Sequence, residues 1–189
     1  MNTIAIGQQQ SLDQANISGN KALELNFIRQ GDVAIEVGCY GLDANDKLVS
    51  DDYEVFFGRP ESACGCLKIK NQDPLANGVI PIISEIEIQL STLPAEVESL
   101  VFAVTAETYL NQPTQQSFKN LELLAVELVQ EEQKAVMTYM PCDLSENSAS
   151  LLLRISRKDG SWVITNTGES FSGSLPDLFE HFGGVFADK

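Results

Sequence analysis

Cys64-Gly65-Cys66 sets two thiols one residue apart, a spacing able to present two thiolates to zinc or another soft metal. A closed zinc site needs about four ligands. The remaining candidates are scattered: the single histidine, His181, is near the C-terminus, and Cys39 and Cys142 are isolated in sequence. The pair therefore reads as two small residues around a turn glycine. His181 has the chemistry of a general base, but no nucleophile stands near it in a recognisable motif. Its place at the end of an expected helix points to a charge–dipole contact or simple exposure. Asp43, Asp46, Asp51 and Asp52 form an acidic cluster without the spacing or the glycine of an EF-hand, so they read as solvated turn residues. The chain carries no phosphate-binding loop, nucleophile elbow, zinc-protease helix or dinucleotide fingerprint. The residues propose no catalysis, and the expectation is a protein that is not an enzyme.

Charge narrows the partners. Among 189 residues, 27 Asp and Glu stand against 12 Lys and Arg, for a formal net charge of -15. Nucleic acids and anionic lipids are held by Lys and Arg, so this balance argues against both. It fits cation binding, solubility or a basic protein partner. No apolar run reaches the length of a membrane span, and the start, MNTIAIGQQQSLDQ, has neither a basic nor an apolar leader region. Four cysteines without a disulfide-framework spacing suit a reducing cytoplasm. There is no internal repeat. The loop-like Asn111–Gln116 is flanked by apolar strand patterns, which makes residues 1–189 one expected domain.

Strand patterns dominate the positioning elements. Expected strands are Thr3–Ile6, Ala22–Ile28, Val33–Leu42, Tyr53–Phe57, Leu67–Lys70, Glu85–Leu90, Leu100–Thr105, Leu121–Val129, Ala135–Met140, Ser150–Arg157 and Ser161–Thr167. Ile86, Ile88 and Leu90 alternate with Glu85, Glu87 and Gln89, the period of a strand with one wet face. Leu100–Val104 is apolar throughout and suits the middle of a layered core. Between these two, Leu93-Pro94-Ala95-Glu96 turns the chain. Asp159-Gly160 supplies the positive φ of a tight hairpin. One C-terminal helix is expected, with Ser174 as N-cap, Asp177 three residues on and Pro176 in the first turn. Leu175, Leu178, Phe179 and Phe182 make its apolar stripe, and Gly183-Gly184 its end. The fold class is all-β: a β-sandwich of two mostly antiparallel sheets with a short C-terminal helix.

The motif order resembles the TerD-type tellurium-resistance and stress proteins. The resemblance rests on Glu85–Thr105, on Asp46–Gly58 with its aromatic strand, and on Gln116-Ser117-Phe118. It is completed by Asp159-Gly160-Ser161-Trp162 and Ser172-Gly173-Ser174-Leu175. Gly58-Arg59-Pro60 looks more like the TerA-type branch. The resemblance implies a calcium-binding sandwich, with acidic clusters at the third strand and in the loop before Glu85. Here those clusters are degenerate. Asp32 and Glu36 keep carboxylates, but Ala34 replaces the acid between them. Of residues 73–84 only Asp73 is acidic, and Ile82-Ile83 stand where the family places paired acids. Hydrocarbon offers calcium no lone pair. The metal candidates are Asp32, Glu36 and Asp73, with the Asn77 carbonyl as a further donor, and the expected cofactor is none, or weak Ca²⁺.

The resemblance thus implies a binding or scaffold module of a tellurium-resistance or stress-response system. It would act through contacts with other stress proteins, its calcium response weakened or lost. The alternative is a calcium-binding stress protein that retains a site near Asp32, Glu36 and Asp73. A third reading is a thiol-dependent tellurite-handling enzyme that uses Cys64 and Cys66.

Overall fold

The computed structural model describes residues 2–73, 82–106, 117–139, 141–144 and 147–186. Their strands are β1 (Asn2–Thr3), β2 (Gln9–Ser11), β3 (Leu23–Gly31), β4 (Ile35–Leu42), β5 (Glu54–Val55) and β6 (Leu67–Gln72). They continue with β7 (Ile82–Ile88), β8 (Ser99–Ala106), β9 (Leu121–Gln130), β10 (Gln133–Tyr139), β11 (Ala149–Lys158) and β12 (Ser161–Phe171). Two helices, α1 (Pro141–Leu144) and α2 (Leu175–His181), follow β10 and β12.

The strands build two six-stranded sheets, ordered β1-β10-β9-β3-β7-β6 and β2-β12-β11-β8-β4-β5. Every pairing is antiparallel except β1 with β10. The expected sandwich is therefore the observed one. Leu25, Phe27, Ile86, Ile88, Val126 and Leu128 of the first sheet share a core with Val37, Cys39, Leu100, Phe102, Val104 and Ile155 of the second.

The continuous apolar run of β8 has a two-sided cause. Leu100, Phe102 and Val104 enter the core between the sheets, whereas Val101 and Ala103 belong to a second cluster on the outer face. There Tyr40, Leu42 and Leu151 meet Leu175, Leu178, Phe179 and Phe182 around α2. A strand buried on both faces loses the alternation that a half-wet strand keeps. The helix is placed by its start and its end. Ser174 N–H donates to Asp177 Oδ2 at 2.6 Å, and the Ser174 hydroxyl donates to the same oxygen at 2.7 Å. Those hydrogen bonds hold the Asp177 carboxyl below its ordinary range. At the other end Gly183 turns at φ 88°, where a side chain would be strained.

Two further turns fix the layers. Asp159 and Gly160 both take positive φ, 49° and 77°, as a tight hairpin between β11 and β12 requires. The turn before β8 is held by Arg157, whose guanidinium donates to the carbonyls of Leu93, Pro94 and Val97 at 2.9, 3.1 and 3.1 Å. The same guanidinium lies 4.6 Å from the Trp162 ring centre, a cation–π contact. Trp162 thus packs at the hairpin, as its sequence position suggests.

Boundaries shift where local chemistry intervenes. The expected strand Tyr53–Phe57 shrinks to β5, because Asp51–Tyr53 forms a 3-10 turn in which Ser50 Oγ accepts the Asp52 N–H at 3.3 Å. β2 falls in the glutamine run Gln8-Gln9-Gln10, whose polar residues hide the strand. It is recruited by backbone pairing to β12. The loop-like Asn111–Gln116 lies outside the described residues, as does Met140. None of the described helices is long and apolar enough to cross a membrane.

Candidate functional site

Asp32 lies between β3 and β4, exposed, with its N–H donating to the Asn120 carbonyl at 3.1 Å. Glu36 is half-buried on β4, opposite Thr105 of β8. Ile35, Val37 and Cys39 point into the core between the sheets, so Glu36 alternates to the outer face. Asp73 follows β6, exposed, and its N–H donates to the Ile83 carbonyl at 2.8 Å. Among the described residues no three carboxylate, thiol or imidazole side chains gather as a bound metal requires. Asn77 lies outside the described residues, with the rest of 74–81. Ile83 is fully buried in the central core and Ala34 is buried beside the β3–β4 turn. Of the expected ligands the described residues include Asp32, Glu36 and Asp73, whereas calcium takes about six to eight oxygens.

One cation in this region belongs to the chain. Arg29, on the core-facing side of β3, is 4% exposed, and its guanidinium donates to the Val33 carbonyl. A carbonyl inside the Asp32–Glu36 element is thereby already engaged.

The second acidic cluster is bound up in turns. Asp43 accepts the N–H groups of Asn45 and Lys47 at 2.7 and 3.0 Å, and these bonds hold its carboxyl below the usual range. Asp46 pairs with Arg154 at 2.6 Å. Asp51 and Asp52 open the 3-10 turn before β5, where burial lifts the neighbouring Glu54 carboxyl above its ordinary range. His181 is exposed, edge-on to Phe171 and Phe182 at centroid distances of 5.2 and 5.1 Å.

The cysteines go beyond expectation. Cys64 and Cys66 flank a turn at Gly65, as expected, and are in addition joined in a disulfide with Cα atoms 5.3 Å apart. Gly65 takes φ 67°, and this turns the chain sharply enough to bring its neighbours together. Cys39 is free and buried, and burial pushes its thiol far above the ordinary range. The Cys142 side chain lies outside the described residues.

The charged feature least visible in sequence is the outer face of the first sheet. Glu24 stands directly opposite Glu87, and Asn26 is flanked by Glu85 on β7 and Glu127 on β9. Four carboxylates thus occupy adjacent rungs of three neighbouring strands. Lys70 reaches Glu24 at 3.1 Å and Glu87 at 4.0 Å, and Lys134 reaches Glu127 at 2.5 Å. The Glu24 contact raises the Lys70 amine above its ordinary range. A shallow cleft of about 210 Å³ beside this face is lined by Leu23, Glu24, Glu87, Val129 and Glu131.

The family model for the TerD domain matches residues 3–182. The chain belongs to the TerD family. It is 26% identical over 145 residues to tellurium resistance protein TerZ of Serratia marcescens, covering 77% of this chain and 70% of that one. It is 22% identical over 189 residues to general stress protein 16U of Bacillus subtilis strain 168, covering 96% of each. A crystal structure of a telluride resistance protein (TerD) homologue from Streptomyces coelicolor A3(2) superposes with a TM-score of 0.69 at 15% identity, covering 87% of this chain and 99% of that one. As a TerD domain, the chain has the sandwich of its relatives, with apolar Ile82-Ile83 at the start of β7.

Proposed function

We propose that this TerD domain is a non-catalytic docking module of a tellurium-resistance or general stress-response system. It binds a basic segment of a partner protein on the outer face of the first sheet, and its calcium response is weakened or lost. The observation that carries the reading is the Glu24–Glu87 pair, extended by Glu85 and Glu127. Like charges directly opposite on neighbouring strands cost stability, and Lys70 and Lys134 offset that cost here only in part, two amines against four carboxylates. A face that gathers them suits a ligand that neutralises them, and an array of Lys or Arg does so. The relatives' names, tellurium resistance protein and general stress protein, support the system assignment. The ligand substitutions and the engaged Val33 carbonyl support the loss of calcium. Two sheets closed on one core support a single domain, and the setting we propose for it is the cytoplasm.

The test is affinity capture from a native lysate with the wild-type chain and with the double variant E24K/E87K, read by mass spectrometry. The expected result is a set of basic proteins held by the wild type and lost from the variant. Equal recovery by both would contradict the reading.

A further inference from the structure

Cys64 and Cys66 lie on the segment that crosses from β5 to β6. These are the edge strands of the two sheets. Cys64 is exposed, whereas Cys66 is 1% exposed and belongs to the central core. A bond that spans one intervening residue removes little loop entropy from the unfolded chain, so it adds little as a staple. The surroundings are built around the sulfurs instead. Ser62 Oγ is 3.5 Å from both Cys64 Sγ and Cys66 Sγ, and the Cys66 N–H donates to Cys64 Sγ at 3.3 Å. The hydroxyl is held in place by the Leu67 N–H, which donates to it at 3.1 Å. The single Ser62 hydroxyl proton can also go to the Leu67 carbonyl at 3.4 Å; a donor aimed at a sulfur favours its thiolate, as the Cys66 N–H does for Cys64.

We propose that Cys64 and Cys66 form a reversible thiol–disulfide exchange site for small thiols of the glutathione class, with Cys64 the sulfur attacked. A thiolate attacks exposed Cys64 Sγ. The Cys64–Cys66 bond breaks, a mixed disulfide forms on Cys64, and Cys66 leaves as a thiolate that takes up a proton. A second thiol attacks the outer sulfur of the mixed disulfide and departs as oxidised glutathione, while Cys64 retains the electron pair and is protonated. The pair thereby gains two electrons and two protons, and two thiols become one disulfide. In the reverse direction Cys66 resolves the adduct on Cys64, and Ser62 is the positioning residue that serves both sulfurs. In the cytoplasmic setting proposed above, disulfides are most often of this exchanging kind. The site is independent of the acidic face, so either can fail alone.

The experiment equilibrates the full chain with mixtures of reduced and oxidised glutathione, quenches it with acid and alkylates it with maleimide. The peptide that carries Cys64 and Cys66 is then weighed. The expected result is one transition between a doubly alkylated peptide and an unalkylated one two hydrogens lighter than the free dithiol, with no glutathione adduct. C66S should trap glutathione on Cys64, and C64S should leave buried Cys66 without an adduct. S62A should shift the pH profile of Cys64 alkylation in C66S upward and slow it about fivefold at neutral pH, the worth of one hydrogen bond. Ser62→Thr should restore the rate. Double alkylation at every glutathione ratio would overturn the proposal, as would a persistent glutathione adduct on the unsubstituted chain. An unchanged profile in S62A would overturn the role of Ser62.

Discussion

The guanidinium of Arg29 donates to the carbonyl of Val33, inside the short turn that carries the chain from the first sheet to the second. Both residues are buried, so the bond satisfies a carbonyl that water does not reach. It also fixes a positive charge beside the element where the family resemblance implies a divalent ion. Removing the guanidinium leaves that carbonyl without this donor. R29M should therefore lower the unfolding free energy by about 1–3 kcal/mol, read as a lower urea midpoint at unchanged slope. It should not create calcium affinity, because no carboxylate is returned.

The acidic face gives a salt signature. The proposed binding of a lysine-rich peptide to this face would draw on exposed Glu87 and half-buried Glu24, Glu85 and Glu127. The Debye length shrinks from roughly 10 Å at 0.1 M salt to about 3 Å at 1 M. Fluorescence anisotropy should show affinity falling steeply across that range. A salt-independent affinity would place the contact elsewhere.

The outer cluster under α2 belongs to the same folding unit as the core between the sheets, since β8 contributes to both. Leu178 is fully buried there. L178A should cost about 2–5 kcal/mol and lower one cooperative transition. A separate early transition for the helix would contradict this.

The Asp177 carboxyl is held below its ordinary range by the Ser174 hydroxyl and N–H. A carboxyl depressed in the folded state stabilises above its unfolded pKa, about 3.9. That contribution fades as pH falls from there through the lower folded value. D177N should melt below the wild type at neutral pH, and the gap should close under strongly acid conditions. Scanning calorimetry over a pH series checks it.

The sheets were legible because alternation and turn chemistry agree locally. Ile86 and Ile88 read correctly against Glu85 and Glu87, and Asp159-Gly160 located the hairpin that closes β11 on β12. β2 was hidden, because backbone pairing to β12 leaves no apolar period in Gln9–Ser11. The acidic face was only half legible. Each glutamate's wet side follows from its own strand, but the juxtaposition of Glu24 with Glu87 depends on register between strands far apart in sequence. Cys64-Gly65-Cys66 was noticed as a pair, yet its closure depends on the left-handed Gly65 conformation, which composition does not reveal.

The proposed loss of the calcium response rests on hydrocarbon at Ala34, Ile82 and Ile83. Isothermal titration of the full chain with CaCl₂, paired with melting curves at millimolar Ca²⁺, tests this most directly. No binding heat above dilution and no shift in melting temperature are expected. Stoichiometric heat at micromolar calcium, abolished by D32N or E36Q, would contradict it.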